Sequence, residues 1–197
     1  MITNLKENLA MFPVKSNIGI GHTRWATHGS PTKENAHPHI SDNGKFALVH
    51  NGIIENAEEL KKSFLDGKVD LVSQTDTEIV VQLMGLFYNG DVISAISETC
   101  KGLTGSFAFG ILCQDTPDTL YAVGQSSPLL IVKSETGCFI ASDFCAVGEE
   151  AEAVYHMRKA LNGMRSEEAL EQIINMFVRT KNNKEFVNTV RKVKILN

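Results

Sequence analysis

The chain has 197 residues, 43% of them hydrophobic, and a formal net charge of −4 at pH 7, which is enough apolar content for one packed core or a core with an appendage. The acidic balance argues against nucleic acid as a partner. No apolar run reaches the length of a membrane span or follows a basic N-terminus as a signal peptide does, so the expectation is a cytoplasmic protein with no membrane partner.

Residues 3–11 form a short predicted helix closed by Pro13. Short apolar runs then alternate with helical patterns over residues 17–147. The predicted strands are Ile18–His22, Lys45–His50, Gly105–Cys113, Leu120–Val123, Leu129–Val132 and Cys138–Ala141. The predicted helices are Ala57–Phe64, Thr77–Phe87 and Val92–Cys100, with Thr75 or Asp76 placed to cap the second and Asp91 the third. In the first strand Gly19 and Gly21 strip side chains from one face, which signals either a close backbone or ligand or a bulge. Residues 148–194 are rich in Glu, Ala, Arg and Lys, carry no strand signal and read as two or three helices. Strands joined by hairpin-like turns, with helices grouped between them, predict a layered α+β fold.

The chemistry concentrates in Gly-Ile-Gly-His-Thr-Arg-Trp-Ala-Thr-His-Gly, residues 19–29, and Val-His-Asn-Gly, residues 49–52. Arg24 follows the Gly-rich strand, and a guanidinium fork suits a carboxylate as well as it suits a surface ion pair. Thr27 and His28 add donors in the same turn, while Trp25 reads as a wall over a ligand stem or as a core aromatic. Asn51-Gly52 is a common hairpin-turn signal. Its functional alternative is an oxyanion hole, with the Asn amide and the Gly N–H aimed at developing negative charge. Asp76 at a helix start is a cap or the partner of a ligand ammonium. An Arg for the carboxylate and an Asp for the ammonium would together define an α-amino acid pocket.

His22, His28, His37, His39 and His50 crowd into a short stretch, and His37-Pro38-His39 raises the question of zinc. No Cys or acidic ligand stands at matching spacing, so hydrogen bonding within a polar loop is the expectation and no metal is assigned. Cys100, Cys113, Cys138 and Cys145 show neither a CxxC pair nor disulfide-like spacing, and read as reduced thiols.

The runs His22–Gly29, Asn35-Ala36-His37-Pro38-His39 and Val49–Asn56 closely resemble the glutaminase domain of glucosamine-6-phosphate synthases, the isomerising glutamine–fructose-6-phosphate aminotransferases, a class II glutamine amidotransferase family. Thr75-Asp76-Thr77-Glu78, Gly105-Ser106-Phe107-Ala108, Ser127-Pro128-Leu129 and Ile140-Ala141-Ser142-Asp143 extend the resemblance over residues 15–147. It implies an N-terminal nucleophile hydrolase-type fold, a four-layer αββα sandwich. It further implies that Arg24, Thr27 and His28 hold the carboxylate side of L-glutamine and that Asp76 takes the ammonium. Asn51 and Gly52 would stabilise the oxyanion, and Trp25 would close the pocket toward a synthase/isomerase domain. No cofactor is implied.

The family nucleophile is a first-residue cysteine whose own α-amino group assists proton transfer, whereas this chain begins Met1-Ile2. The expectation is therefore an amidotransferase type 2 domain over residues 1–147, N-terminally incomplete and without its first strands, followed by a helical tail over 148–197. Such a chain would not turn over glutamine alone; the rival is a non-catalytic glutamine-binding or assembly module. An incomplete core leaves sheet edges and apolar groups such as Ile18, Ile20, Val49, Phe107, Phe109 and Ile111 underpacked, which predicts self-association or cover by the tail. The tail offers Leu170, Ile173, Ile174, Phe177 and Val178 at near-helical spacing for that purpose.

Overall fold

The computed structural model of the chain describes residues 2–13, 16–23, 30–134, 137–143, 153–156 and 194–196. In chain order the elements are α1 (Ile2–Met11), β1 (His39–Ile40), β2 (Phe46–Ile54), α2 (Ala57–Leu60) with a π-helical turn over Lys61–Leu65, α3 (Asp76–Phe87), α4 (Val92–Lys101), β3 (Gly105–Cys113), β4 (Leu120–Gln125), β5 (Leu130–Ser134), β6 (Gly137–Ala141), β7 (Ala153–His156) and β8 (Lys194–Leu196). No helix among the described residues is long and apolar enough to cross a membrane.

The strands form two sheets, of order β1-β2-β3-β4-β8 and β6-β5-β7. All pairings are antiparallel except β4 with β8, which is parallel. The nine-residue ladder of β2 and β3 is the spine of the first sheet, running from Phe46 opposite Cys113 to Ile54 opposite Gly105.

Strand alternation divides the two faces of that sheet by size. Phe46, Leu48, Ile54, Phe107, Phe109, Ile111, Tyr121 and Val123 pack into one core with Ile79, Val80, Leu83 and Met84 of α3 and Ala95 and Ile96 of α4. Ala108 and Ala122 face the other way and pack with Leu129, just before β5, and with Ile131 and Ile140 of the second sheet. Gly110 lies on the same face, and a Cβ there would meet Ile140 Cδ1 at 2.9 Å and Val49 Cγ2 at 3.0 Å. Small residues on this face let the sheets approach closely, giving helix, sheet and sheet as successive layers.

α3 is buried on nearly every side, from Thr77 through Met84, as expected of a helix enclosed by its neighbours. Thr75 caps it, its hydroxyl accepting from Glu78 N at 3.3 Å. Buried Glu78 in turn accepts from the backbone N–H groups of Val72 (3.0 Å) and Ser73 (2.6 Å), fastening the preceding loop to the helix. Asp91 caps α4 by accepting from Ile93 N and Ser94 N.

Several expectations are corrected. Ile18–His22 forms no strand. Its two glycines offer little pairing propensity, and Ile20 instead lies across the inter-sheet face, near the position a Cβ on Gly110 would take. A Cβ on Gly19 or Gly21 would meet nothing within 4 Å, so neither marks a close approach among the described residues. Asn51-Gly52 is not a hairpin turn: β2 continues through it to Ile54. The predicted Ala57–Phe64 helix is one short α-turn that passes into a π-turn.

Phe107, Phe109 and Ile111 are buried rather than underpacked, because alternation turns them toward α3 and α4. The tail is not wholly helical. Ala153–His156 pairs with β5 and Lys194–Leu196 with β4, where sheet edges offer unpaired backbone groups. The apolar stripe from Leu170 to Val178 lies outside the described residues.

Candidate active site

The candidate site lies along the outer edge of β2, beyond the two-residue strand β1. In an antiparallel ladder alternate residues turn their N–H groups toward opposite neighbours. Here Glu55 N binds Thr104 O, and Gln114 N binds Lys45 O, so odd-numbered residues of β2 bond to the β3 side. Even-numbered ones turn outward. His50 N donates to His37 Nδ1 at 3.4 Å, and Ile54 N donates to Asp76 Oδ2 at 2.8 Å. The same alternation puts the Gly52 N–H on that outer edge, between them.

Gly52 adopts φ +129°, a region that disfavours any residue with a Cβ. An added Cβ would also run into the Ser106 carbonyl oxygen, lie 2.8 Å from Ser106 C and lie 2.9 Å from Phe107 Cα. Glycine is therefore required twice over, by its backbone angle and by the closeness of β3. Asn51, one residue earlier, turns its side chain to the inter-sheet face, where its Oδ1 meets His22 Nε2 at 2.5 Å.

His50 points the opposite way, into the core beneath α3. Its Nδ1 lies 2.9 Å from Thr77 Oγ1 and 3.8 Å from Asp76 Oδ1, and its ring meets Phe109 edge-on at 5.0 Å. Burial pushes its pKa down from 6.5 to about 4, with Asp76 opposing the shift and His22 adding to it. The imidazole is thus neutral at pH 7.

Asp76 is the first residue of α3 rather than its cap, a position where the helix dipole favours a carboxylate. Its two oxygens receive Ile54 N and Thr77 Oγ1, at 2.8 and 3.3 Å. A carboxylate has about four lone-pair sites, so acceptor capacity is left over. The side chain is 13% exposed. Beside it opens a cleft of ≈ 400 Å³ bordered by Gln74, Thr75, Glu58 and Lys61.

A polar loop supports this edge. Buried Asn35 accepts from Gln74 N at 2.8 Å and donates to Ser30 O at 2.9 Å. His39 Nε2 meets Thr75 Oγ1 at 2.9 Å. The His37 ring lies 4.5 Å from that of His22, 5.2 Å from His39 and 6.5 Å from His50. Among the described residues no group of three or more His, Cys, Asp or Glu is placed to hold a metal ion.

The Gly52 N–H and Asp76 thus share the outer edge of β2, while Asn51, one residue before Gly52, presents its side chain on the inter-sheet face. Arg24, Trp25, Thr27 and His28 lie outside the described residues. Sequence reasoning did not single out His22 and Thr77 as partners of Asn51 and His50. The alternation of β2, read together with five histidines in a short stretch, was the signal available for them.

Cys113 stands apart from Asn51 and Gly52, and Cys145 lies outside the described residues. Cys113 ends β3, five residues beyond Ala108, the partner of Asn51, a separation of about 17 Å along the strand. Burial pushes the Cys100 thiol up to about 12.

A family model described as a glutamine amidotransferase domain matches residues 22–149. The chain is 44% identical over 154 residues to a glutamine–fructose-6-phosphate aminotransferase (isomerising) of Clostridium perfringens, covering 78% of this chain and 25% of that protein. It is 50% identical over 132 residues to the enzyme so named in Staphylococcus aureus, covering 66% and 22%. The chain therefore spans about a quarter of the length of these relatives. Among solved structures it is similar to an allosteric regulatory enzyme of purine biosynthesis, with TM-score 0.55 and 27% identity over 64% of this chain and 28% of that one. It is also similar in fold to a glutamine phosphoribosylpyrophosphate amidotransferase from B. subtilis, with TM-score 0.54 and 24% identity over 72% of this chain and 34% of that one.

Proposed function

This chain belongs to the glutamine amidotransferase domain family, and from that premise we propose that it is the glutaminase part of a glutamine–fructose-6-phosphate aminotransferase. In this reading it binds L-glutamine and presents the side-chain amide for hydrolysis, the ammonia serving glucosamine-6-phosphate synthesis in a synthase/isomerase domain. The observation that carries the reading is the adjacent Asn51-Gly52 pair of β2, with glycine required at its position and its N–H on the outer edge of the strand.

Attack on the glutamine amide carbonyl places negative charge on its oxygen. Two donors fixed in advance, Asn51 Nδ2 and Gly52 N–H, stabilise that charge without reorganising. Asp76 receives the α-ammonium through its spare lone pairs. Arg24 follows His22 by two residues, a reach of at most about 7 Å along the chain, and takes the α-carboxylate with Thr27 and His28. Trp25 covers the ligand stem. The fold proposed is the N-terminal nucleophile type, with two sheets between helical layers, carried by residues 1–147. Residues 148–197 add β7 and β8 to its sheets.

These 197 residues alone are proposed not to turn over glutamine: Cys113 is remote from the donors, Cys100 is held protonated, and the α-amino group of every cysteine in the chain is tied up in a peptide bond. That same observation supports the second reading, a non-catalytic glutamine-binding or assembly module. Calorimetry with L-glutamine on Arg24→Ala, Asp76→Ala and Asn51→Ala tests the pocket. Loss of a charged contact is expected to cost about 1.5–3 kcal/mol; unchanged affinity in all three variants removes the site. Release of glutamate by the purified chain, abolished on replacing one of its cysteines, would overturn the proposed inactivity.

A further inference from the structure

We infer that His22 is a positioning residue that fixes which end of the Asn51 amide faces the substrate. The inference rests on the reading of Asn51 as an oxyanion donor, and it extends that reading to a residue 29 positions away. An asparagine amide has a donor end and an acceptor end. Only the NH2 end can stabilise an oxyanion, so the oxygen end must be held elsewhere. In this structure Asn51 Oδ1 meets His22 Nε2 at 2.5 Å. An oxygen can only accept, so the imidazole must carry its proton on Nε2. The amide NH2 is then turned away from His22 and left to donate.

The second nitrogen of His22 supports the same assignment independently. Nδ1 is buried and has no hydrogen-bond partner among the described residues. A neutral imidazole holds one proton. On Nδ1 it would make a buried donor with no acceptor among the described residues, an arrangement that is rarer than an unfilled acceptor. The same tautomer would leave Nε2 bare and draw the NH2 of Asn51 toward it, presenting the amide oxygen to the substrate and repelling the oxyanion. The Nε2–H tautomer removes both faults together. The ring of His37, 4.5 Å from that of His22 and tilted by 44°, packs against the imidazole and limits its rotation. His22 acts through Asn51 and is not assigned any contact with substrate.

The test uses the full 197-residue chain and L-glutamine as probe. Long-range 15N–1H correlation spectra at pH 8 are expected to show His22 protonated on Nε2; the Nδ1–H tautomer overturns the inference, with no variant needed. Asn51→Ala and His22→Leu are each expected to weaken glutamine binding about three- to tenfold, the size of one net hydrogen bond. His22→Gln places an amide donor at the same number of bonds from Cα and is expected to return affinity to within about twofold. In the Asn51→Ala background His22→Leu should cost nothing more, since the residue it positions is gone. An equal loss in both backgrounds assigns His22 a merely structural role and overturns the inference. Weakening by Asn51→Ala with no effect of His22→Leu does so as well, leaving the oxyanion reading standing. No effect of Asn51→Ala on affinity removes the oxyanion reading and the inference with it.

Discussion

Gly52→Ala is expected to destabilise the chain severely, and three other glycines separate the causes. At Gly52 the backbone sits at φ +129° and a Cβ would press on Ser106 and Phe107 of β3, all backbone atoms that cannot rotate aside. Backbone strain contributes about 1–3 kcal/mol and overpacking another 1–3 kcal/mol or so. The combined loss of about 2–6 kcal/mol is a large part of the 5–15 kcal/mol or so that holds an ordinary domain together. Gly67 has φ +70° but open space around it, so Gly67→Ala isolates the angle and should cost about 1–2 kcal/mol. Gly110 is not in the strained region but faces Ile140 Cδ1 at 2.9 Å and Val49 Cγ2 at 3.0 Å. Gly110→Ala therefore isolates crowding by side chains that can yield, at about 1–3 kcal/mol. At Gly124 the nearest atoms lie at 3.7 Å, and Gly124→Ala is the neutral control. Urea titrations followed by circular dichroism, fitted with one common slope, would rank the four. If Gly52→Ala unfolds at the same urea concentration as Gly67→Ala, the close passage of β3 behind Gly52 is wrong.

His50 gives a pH prediction with a definite sign. Its folded pKa of about 4 lies below the ordinary 6.5, so the unfolded chain binds the extra proton. Stability is then complete above pH 6.5 and falls as pH drops toward 4, by about 3 kcal/mol at most. His50→Gln should flatten that part of the urea-midpoint profile between pH 6.5 and 4, and an unchanged slope would exclude His50 as its source. Cys100 and Cys113 are expected to resist iodoacetamide at pH 7.5 in the folded chain and to react once urea unfolds it, because the thiolate is the reactive form and burial suppresses it at Cys100. Mass spectrometry showing rapid native labelling of Cys100 would contradict its burial. A chain ending at Val147 loses β7 and β8, uncovering an edge of β5 and an edge of β4. Light scattering should show it self-associating more than the full chain; two equally monodisperse chains would mean those strands do not protect the edges.

Features decided within a few residues were legible in the sequence. Thr75 and Asp91 cap their helices because a short oxygen-bearing side chain before an apolar run has few better uses. The spacing of Phe107, Phe109 and Ile111 identified a strand with one apolar face, and the sheet buries that face. What the pattern could not supply was the occupant of the opposite surface, so these residues were expected to be underpacked when α3 and α4 already cover them. The Asn51-Gly52 pair shows the same boundary from the functional side. Its need for glycine was visible, and a turn was the cheapest local explanation. The actual reason is a backbone passing behind it from a strand more than fifty residues later in the chain, which no local rule can see. The partners that complete the site are distant too: His22 with Asn51 across 29 residues, His50 with Thr77 across 27 and Ile54 with Asp76 across 22. Local preference and tertiary demand therefore disagree at Gly52, and disagreement of that kind is expected where a chain spends stability on function. The same residue that breaks the hairpin rule supplies the outward N–H that the proposed chemistry needs.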